Sequence, residues 1–179
     1  MSEPNLIIRL GVPEDIHAIM DLMELGTEEN ALVPPNPMKI LHEVYAALSR
    51  DHGLVGIITS DESRIEGVVI LRITQLAYSD NNVLEEKIVF IHPDYRSAKG
   101  GRALKLCRFS KKVADELGLP LLIGVLSNKR TAGKIRMYER EFGSPAGAFF
   151  LYNGKTGGWK SETNDGMAQD EECQPAQGA

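Results

Sequence analysis

The sequence predicts one α+β domain, a mostly antiparallel sheet of about six strands flanked by about four helices, and three observations predict it. Apolar runs of strand length and longer helical stretches follow the order strand, two helices, three strands, helix, strand, helix, strand. The three consecutive strands are joined by short polar turns, which favours hairpins over parallel βαβ units. At 179 residues, 42% hydrophobic and 25% charged, the composition is that of a globular chain long enough for one substantial core.

Taken in order, Leu6 to Leu10 reads as a first strand. The turn Gly11-Val12-Pro13-Glu14-Asp15 places acids where a helix begins, and Ile16, Ile19, Met20 and Met23 keep helical spacing. His17 falls off that stripe and reads as a surface residue. Gly26 is expected to end this helix, leaving Thr27 to Pro37 as a proline-rich loop that carries Glu28 and Glu29. Ile40, Leu41, Val44, Ala47 and Leu48 form the apolar side of a second helix, which exits through Arg50-Asp51-His52-Gly53. Leu54–Thr59 and Arg64–Thr74 then read as a hairpin around Ser60-Asp61-Glu62-Ser63, and Val83–Ile91 as the next strand.

Beyond a turn with Gly100 and Gly101, Ala103, Leu106, Cys107, Val113, Ala114 and Leu117 define a helix that Gly118 and Pro120 stop. Leu121 to Leu126 is a continuous apolar run suited to a central strand. A helix from Lys129 to Phe142 follows, broken by Gly143-Ser144-Pro145, and Ala146 to Tyr152 reads as a last strand. The folded domain is therefore expected over residues 1–152. From Asn153 to Ala179 the polar, acidic composition cannot repay the entropy of ordering and predicts a disordered tail.

Several function classes are disfavoured. No apolar run has the length of a membrane span, and MSEPNLIIRL lacks the pattern of a secretory signal. Cys107 and Cys173 give neither metal spacing nor a disulfide framework, which suits a cytoplasmic setting, and His42 and His52 have no partner at metal-ligand spacing. The net charge of −5, of which the tail carries −3, argues against a general nucleic-acid binder. Cys107 itself reads as an inert core thiol on its helix.

The local exception to this acidity is the stretch IHPDYRSAKGGRAL, Ile91 to Leu104. An apolar strand ends there, a glycine turn frees the backbone, and a helix opens with unpaired N–H groups that suit an anion. Arg96, Lys99, Arg102, Lys105, Arg108 and Lys111 recur every third residue through that turn and along the helix. Cations in a first helical turn oppose the macrodipole, so an anionic ligand accounts for them; a solvated helix face is the alternative. The Gly-Lys-Ser/Thr ending of a mononucleotide loop is missing, and the hairpin-rich first half does not suit a dinucleotide-binding fold.

With that element order around a strand, turn and basic helix, the chain resembles the GNAT superfamily of acyl-CoA-dependent N-acyltransferases. IIRLGVPEDIHAIMDLM is similar to that family's first strand and helix, and IHPDYRSAKGGRAL to its pyrophosphate loop; Asn128 ends the next strand, and Tyr138 precedes Phe142-Gly143. The loop pattern Gln/Arg-x-x-Gly-x-Gly/Ala falls on Arg96 to Gly101, with Lys99 where the first glycine belongs. The resemblance implies a sheet splayed at the cofactor site, acetyl-CoA as acyl donor and direct attack by an amine, without a metal. It implies that backbone N–H groups of Ser97, Ala98, Lys99, Gly100 and Gly101 hold the pyrophosphate, with charge from Arg96, Lys99 and Arg102. Ile91 and Asn128 would join the cofactor site. Tyr138 matches the general acid, and Glu85 or, on the opposite sheet face, Glu86 would be the base. The acceptor, an amine-bearing small molecule or protein, would lie near Glu28, Glu29 and Asn30. Dimers are common in families of this kind, and an inactive CoA-binding or partner-binding module is the alternative reading.

Overall fold

The computed structural model describes residues 5–60, 64–96, 101–126 and 130–151. Five strands, β1 (Ile7–Leu10), β2 (Gly53–Thr59), β3 (Gly67–Gln75), β4 (Asn82–Ile91) and β5 (Leu121–Ile123), lie in sequence order across one sheet. Pairing is antiparallel from β1 to β4, and β5 runs parallel to β4. The helices are α1 (Ile16–Asn30), α2 (Pro37–Leu48), α3 (Arg102–Leu117) and α4 (Thr131–Phe142).

The alternation of apolar residues along the strands builds two cores, one on each sheet face. Ile19, Leu22 and Met23 of α1 and Val44, Ala47 and Leu48 of α2 pack with Val55, Ile57, Val68, Ile70 and Phe90. On the other face Leu106, Val113 and Ala114 of α3 pack with Ile58, Val69, Leu71, Leu84 and Ile91. At Gly56, β2 lies so close to α3 that a Cβ there would stand 2.4 Å from the Phe109 ring.

Helix ends follow the local chemistry. Asn36 accepts hydrogen bonds from the N–H groups of Met38 and Lys39 ahead of Pro37, and Gly118 ends α3 in the left-handed conformation at φ 64°. Helix α1 differs from expectation: it runs through Gly26 to Asn30, because a glycine is what lets the helix lie against the Phe90 ring, 3.2 Å from where a Cβ would be. Glu28, Glu29 and Asn30 therefore form a last helical turn rather than a loop.

The sheet has one strand fewer than expected. Residues 146–151 form no strand, and Phe149 and Phe150 are 71% and 95% exposed. The cause lies in β5, which ends at Ile123 instead of continuing to Leu126, so it offers a following strand only a three-residue edge. Tyr152 and the 153–179 tail lie outside the described residues.

Candidate active site

The site begins with an irregularity in β4. Ile70 pairs with Ile88 but Leu71 pairs with Glu86, so Lys87 is an extra residue in the ladder, a β-bulge. Before it Leu84 and Glu86 face α3; after it Val89 and Ile91 do, while Ile88 and Phe90 turn to α1 and α2. The parallel ladder to β5 also stops here, at Glu86 opposite Ile123. Beyond that point the two chains border a pocket instead of each other. Glu86 to Phe90 line one side, Gly124 to Leu126 the other, with Gly26, Thr27 and Asn30 of α1 and Lys134 and Tyr138 of α4 closing it. Its volume is about 200 Å³.

Two ionisable groups meet inside. The Tyr138 hydroxyl donates to Glu86 Oε1, and the Ser110 hydroxyl of α3 donates to Glu86 Oε2 at 3.3 Å. Tyr138 and Glu86 are 8% and 6% exposed, so water screens neither. Burial raises the Glu86 carboxyl above its ordinary value, against the hydrogen bonds from Tyr138 and Ser110 and the charge of Lys134. Burial, and then the Glu86 charge, raises the Tyr138 hydroxyl far above its ordinary value, so it keeps its proton. Lys134 lies one helical turn before Tyr138, and burial lowers its ammonium below the ordinary lysine value. A carboxylate inclined to accept a proton thus touches a phenol that stays protonated.

No family model matches the sequence, and no curated protein matches it either. Solved structures do match. A ribosomal-protein-alanine N-acetyltransferase from Brucella melitensis biovar Abortus 2308 superposes with TM-score 0.61 at 16% identity, covering 82% of this chain and 97% of that one. An aminoglycoside 6'-N-acetyltransferase from Acinetobacter baumannii gives 0.61 at 14% identity, with 83% and 97% covered. A third structure, AAC(6')-Iy in complex with the bisubstrate analogue CoA-S-monomethyl-acetylneamine, gives 0.60 at 16% identity, with 83% and 97% covered. The chain has the fold of the GNAT acetyltransferases.

On this GNAT fold the expected site residues separate into three groups. Tyr138, expected from the resemblance as a general acid, lines the pocket. Glu85 does not: it lies on the opposite face of β4 from Glu86, held by Lys87 at 2.8 Å and by the Thr74 hydroxyl at 3.2 Å. Strict alternation back from Ile91 would place Glu85 with Val89 and Ile91, and the bulge at Lys87 gives that place to Glu86. Ser97, Ala98, Lys99, Gly100 and Asn128 lie outside the described residues, so the loop expectations rest on the sequence.

The arginines on either side of residues 97–100 are engaged internally. Arg96 Nη1 donates to both oxygens of Glu29, at 2.6 and 2.8 Å, its Nε donates to the Ile91 carbonyl at 2.9 Å, and its guanidinium lies over the Phe90 ring. Arg102, expected to bring charge to a ligand, is instead buried: Nε donates to Glu66 Oε2 at 2.5 Å, and Tyr95 covers it. Being only 2% exposed itself, Glu66 requires a buried cation, and the Ser60 hydroxyl donates to its other oxygen. Arg108 pairs with Glu141 on α4, while Lys105 stays exposed. The stripe of cations is thus largely a set of ties between elements. Gly101 takes the left-handed conformation at φ 60° just before α3, and no side chain caps that helix start among the described residues.

Sequence reasoning passed over Glu66, Ser110 and Lys134. Only the buried acid had a signal, since Glu66 stands alone in the apolar run of β3's approach. Cys107 is buried as expected, its thiol pushed up to about 12 by burial and the Glu86 charge.

Proposed function

We propose that the protein is an N-acetyltransferase that moves an acetyl group from acetyl-CoA to a primary amine by direct attack. The observation that carries this reading is the Glu86–Tyr138 pair, which lines the pocket where β4 and β5 part. In the reaction a neutral amine attacks the thioester carbonyl, Glu86 takes the amine's proton, and Tyr138 gives one to the departing thiolate. The hydrogen bond between the two lets the proton gained by Glu86 restore the phenol. Backbone N–H and C=O groups of β4 just beyond Glu86, on the side that β5 leaves, would hold an extended cofactor arm as another strand would. By the resemblance, its pyrophosphate would be held by residues 96–101 ahead of α3, and Asn128 would also contact the cofactor. The reaction proposed here needs no metal.

The acceptor is an amine on a small molecule or a protein, entering beside the last turn of α1. No described helix is long and apolar enough to cross a membrane, and a cytoplasmic enzyme is the setting we propose. A second reading, a GNAT-fold module without catalysis, is favoured by one observation: Arg96 and Arg102 are both committed to carboxylates. Titration calorimetry with acetyl-CoA and CoA tests the cofactor. Saturable binding of acetyl-CoA is expected, and no heat from either compound at millimolar concentration would remove the enzyme reading and leave only a module that does not bind CoA.

A further inference from the structure

We propose that Lys134 is itself an acetyl acceptor, so that the protein modifies its own α4 at the pocket. The inference rests on the acyltransferase reading above and adds a target to it. Lys134 lines the same pocket as Glu86 and Tyr138, half-buried, and stands one turn from Tyr138 on one face of α4. Its Nζ is anchored 3.5 Å from Asn30 Oδ1, at the end of α1, instead of reaching into solvent. The pocket therefore contains an amine, a buried carboxylate and a proton-bearing phenol together.

The surroundings of Lys134 favour its neutral form more than those of an ordinary lysine. Burial disfavours the ammonium form; the Glu29 charge opposes this, Arg96 adds to it and Glu86 opposes it, without reversing the lowering. Lys87 also borders the pocket, but its ammonium is held by Glu85 at 2.8 Å. Exposed lysines such as Lys39 and Lys112 lie outside the pocket. In the reaction the neutral Nζ attacks the thioester carbonyl carbon of acetyl-CoA. An N–C bond forms, the C–S bond breaks, the nitrogen's surplus proton passes to Glu86, and the thiolate takes a proton from Tyr138. One acetyl-lysine and one free CoA thiol result. Because the amide is stable, the modified chain has lost a cation and carries an acetyl group in its own acceptor space.

The full chain incubated with acetyl-CoA and digested for peptide mass spectrometry tests this. Acetyl on Lys134 is expected to accumulate about tenfold or more faster than on Lys39 or Lys112, because those lack acid and base assistance. Lys134→Arg should remove that label, and Tyr138→Phe should slow it to the rate of the exposed lysines while leaving theirs unchanged. Equal labelling of all lysines, or labelling of Lys134 that Tyr138→Phe does not slow, would overturn the inference. An unlabelled Lys134 in protein that binds acetyl-CoA by calorimetry sinks the inference alone; absence of binding sinks the acyltransferase reading with it.

Discussion

Glu86 and Tyr138 share a hydrogen bond out of reach of water, and the pH behaviour expected of the chain follows from it. A base must be ionised to act, and burial raises the Glu86 carboxyl, so kcat/KM should climb with pH through a value above the usual carboxylate range. Glu86→Gln should lower the rate about 100-fold and erase that limb of the profile. The stability sign is opposite. A carboxyl raised in the folded state contributes fully below its unfolded value and loses that contribution as pH rises through its folded one. Glu86→Gln should therefore gain stability relative to the parent as pH rises, read from urea denaturation at acidic and alkaline pH. Which of the two adjacent acids enters the pocket was not legible from spacing, because alternation carries no mark of a bulge and Lys87 is unremarkable in the sequence. Tyr138 was singled out by the family resemblance alone, and its place before the helix-ending Phe142-Gly143 does not depend on strand register.

Between elements, the tie that matters most is Glu66 to Arg102, from the approach to β3 across to the first residue of α3. Both side chains are buried, so removing one partner leaves a stranded charge. Arg102→Met should cost roughly 3–5 kcal/mol by chemical denaturation, and adding Glu66→Leu should restore most of it. Full stability of the single variant would show that the pair does not hold the α3 start. Helix α3 also depends on the missing side chain at Gly56, where the Phe109 ring fills the space. Gly56→Val should cost about 1–3 kcal/mol through overpacking. The cationic stripe on α3 suggested a ligand-facing row, and the structure turns its arginines to carboxylates instead. Charge spacing could not show this, since Glu29, Glu66 and Glu141 come from distant parts of the chain. Likewise Gly26 reads as a helix stop by propensity alone, and only the neighbouring Phe90 ring explains why α1 continues.

For the molecule as a whole, the order of elements was legible because apolar periodicity changes at each boundary, and that order carried the fold class. What periodicity does not encode is where paired strands stop pairing. The run Leu121 to Leu126 is uniformly apolar, yet only its first three residues join the sheet, while the remainder lines a pocket and residues 146–151 find no ladder to extend. The parting of β4 from β5 thus creates the site and shortens the sheet together. Acyl transfer through Glu86 and Tyr138 is the activity we propose for this opening. Release of CoA thiol from acetyl-CoA, measured across a panel of primary amines with the parent and with Tyr138→Phe, tests it most directly. Amine-dependent thiol release by the parent is expected, with a loss of about 100-fold or more in kcat for the folded variant. Equal release by parent and variant, or no release with any amine from protein that binds acetyl-CoA, would contradict it.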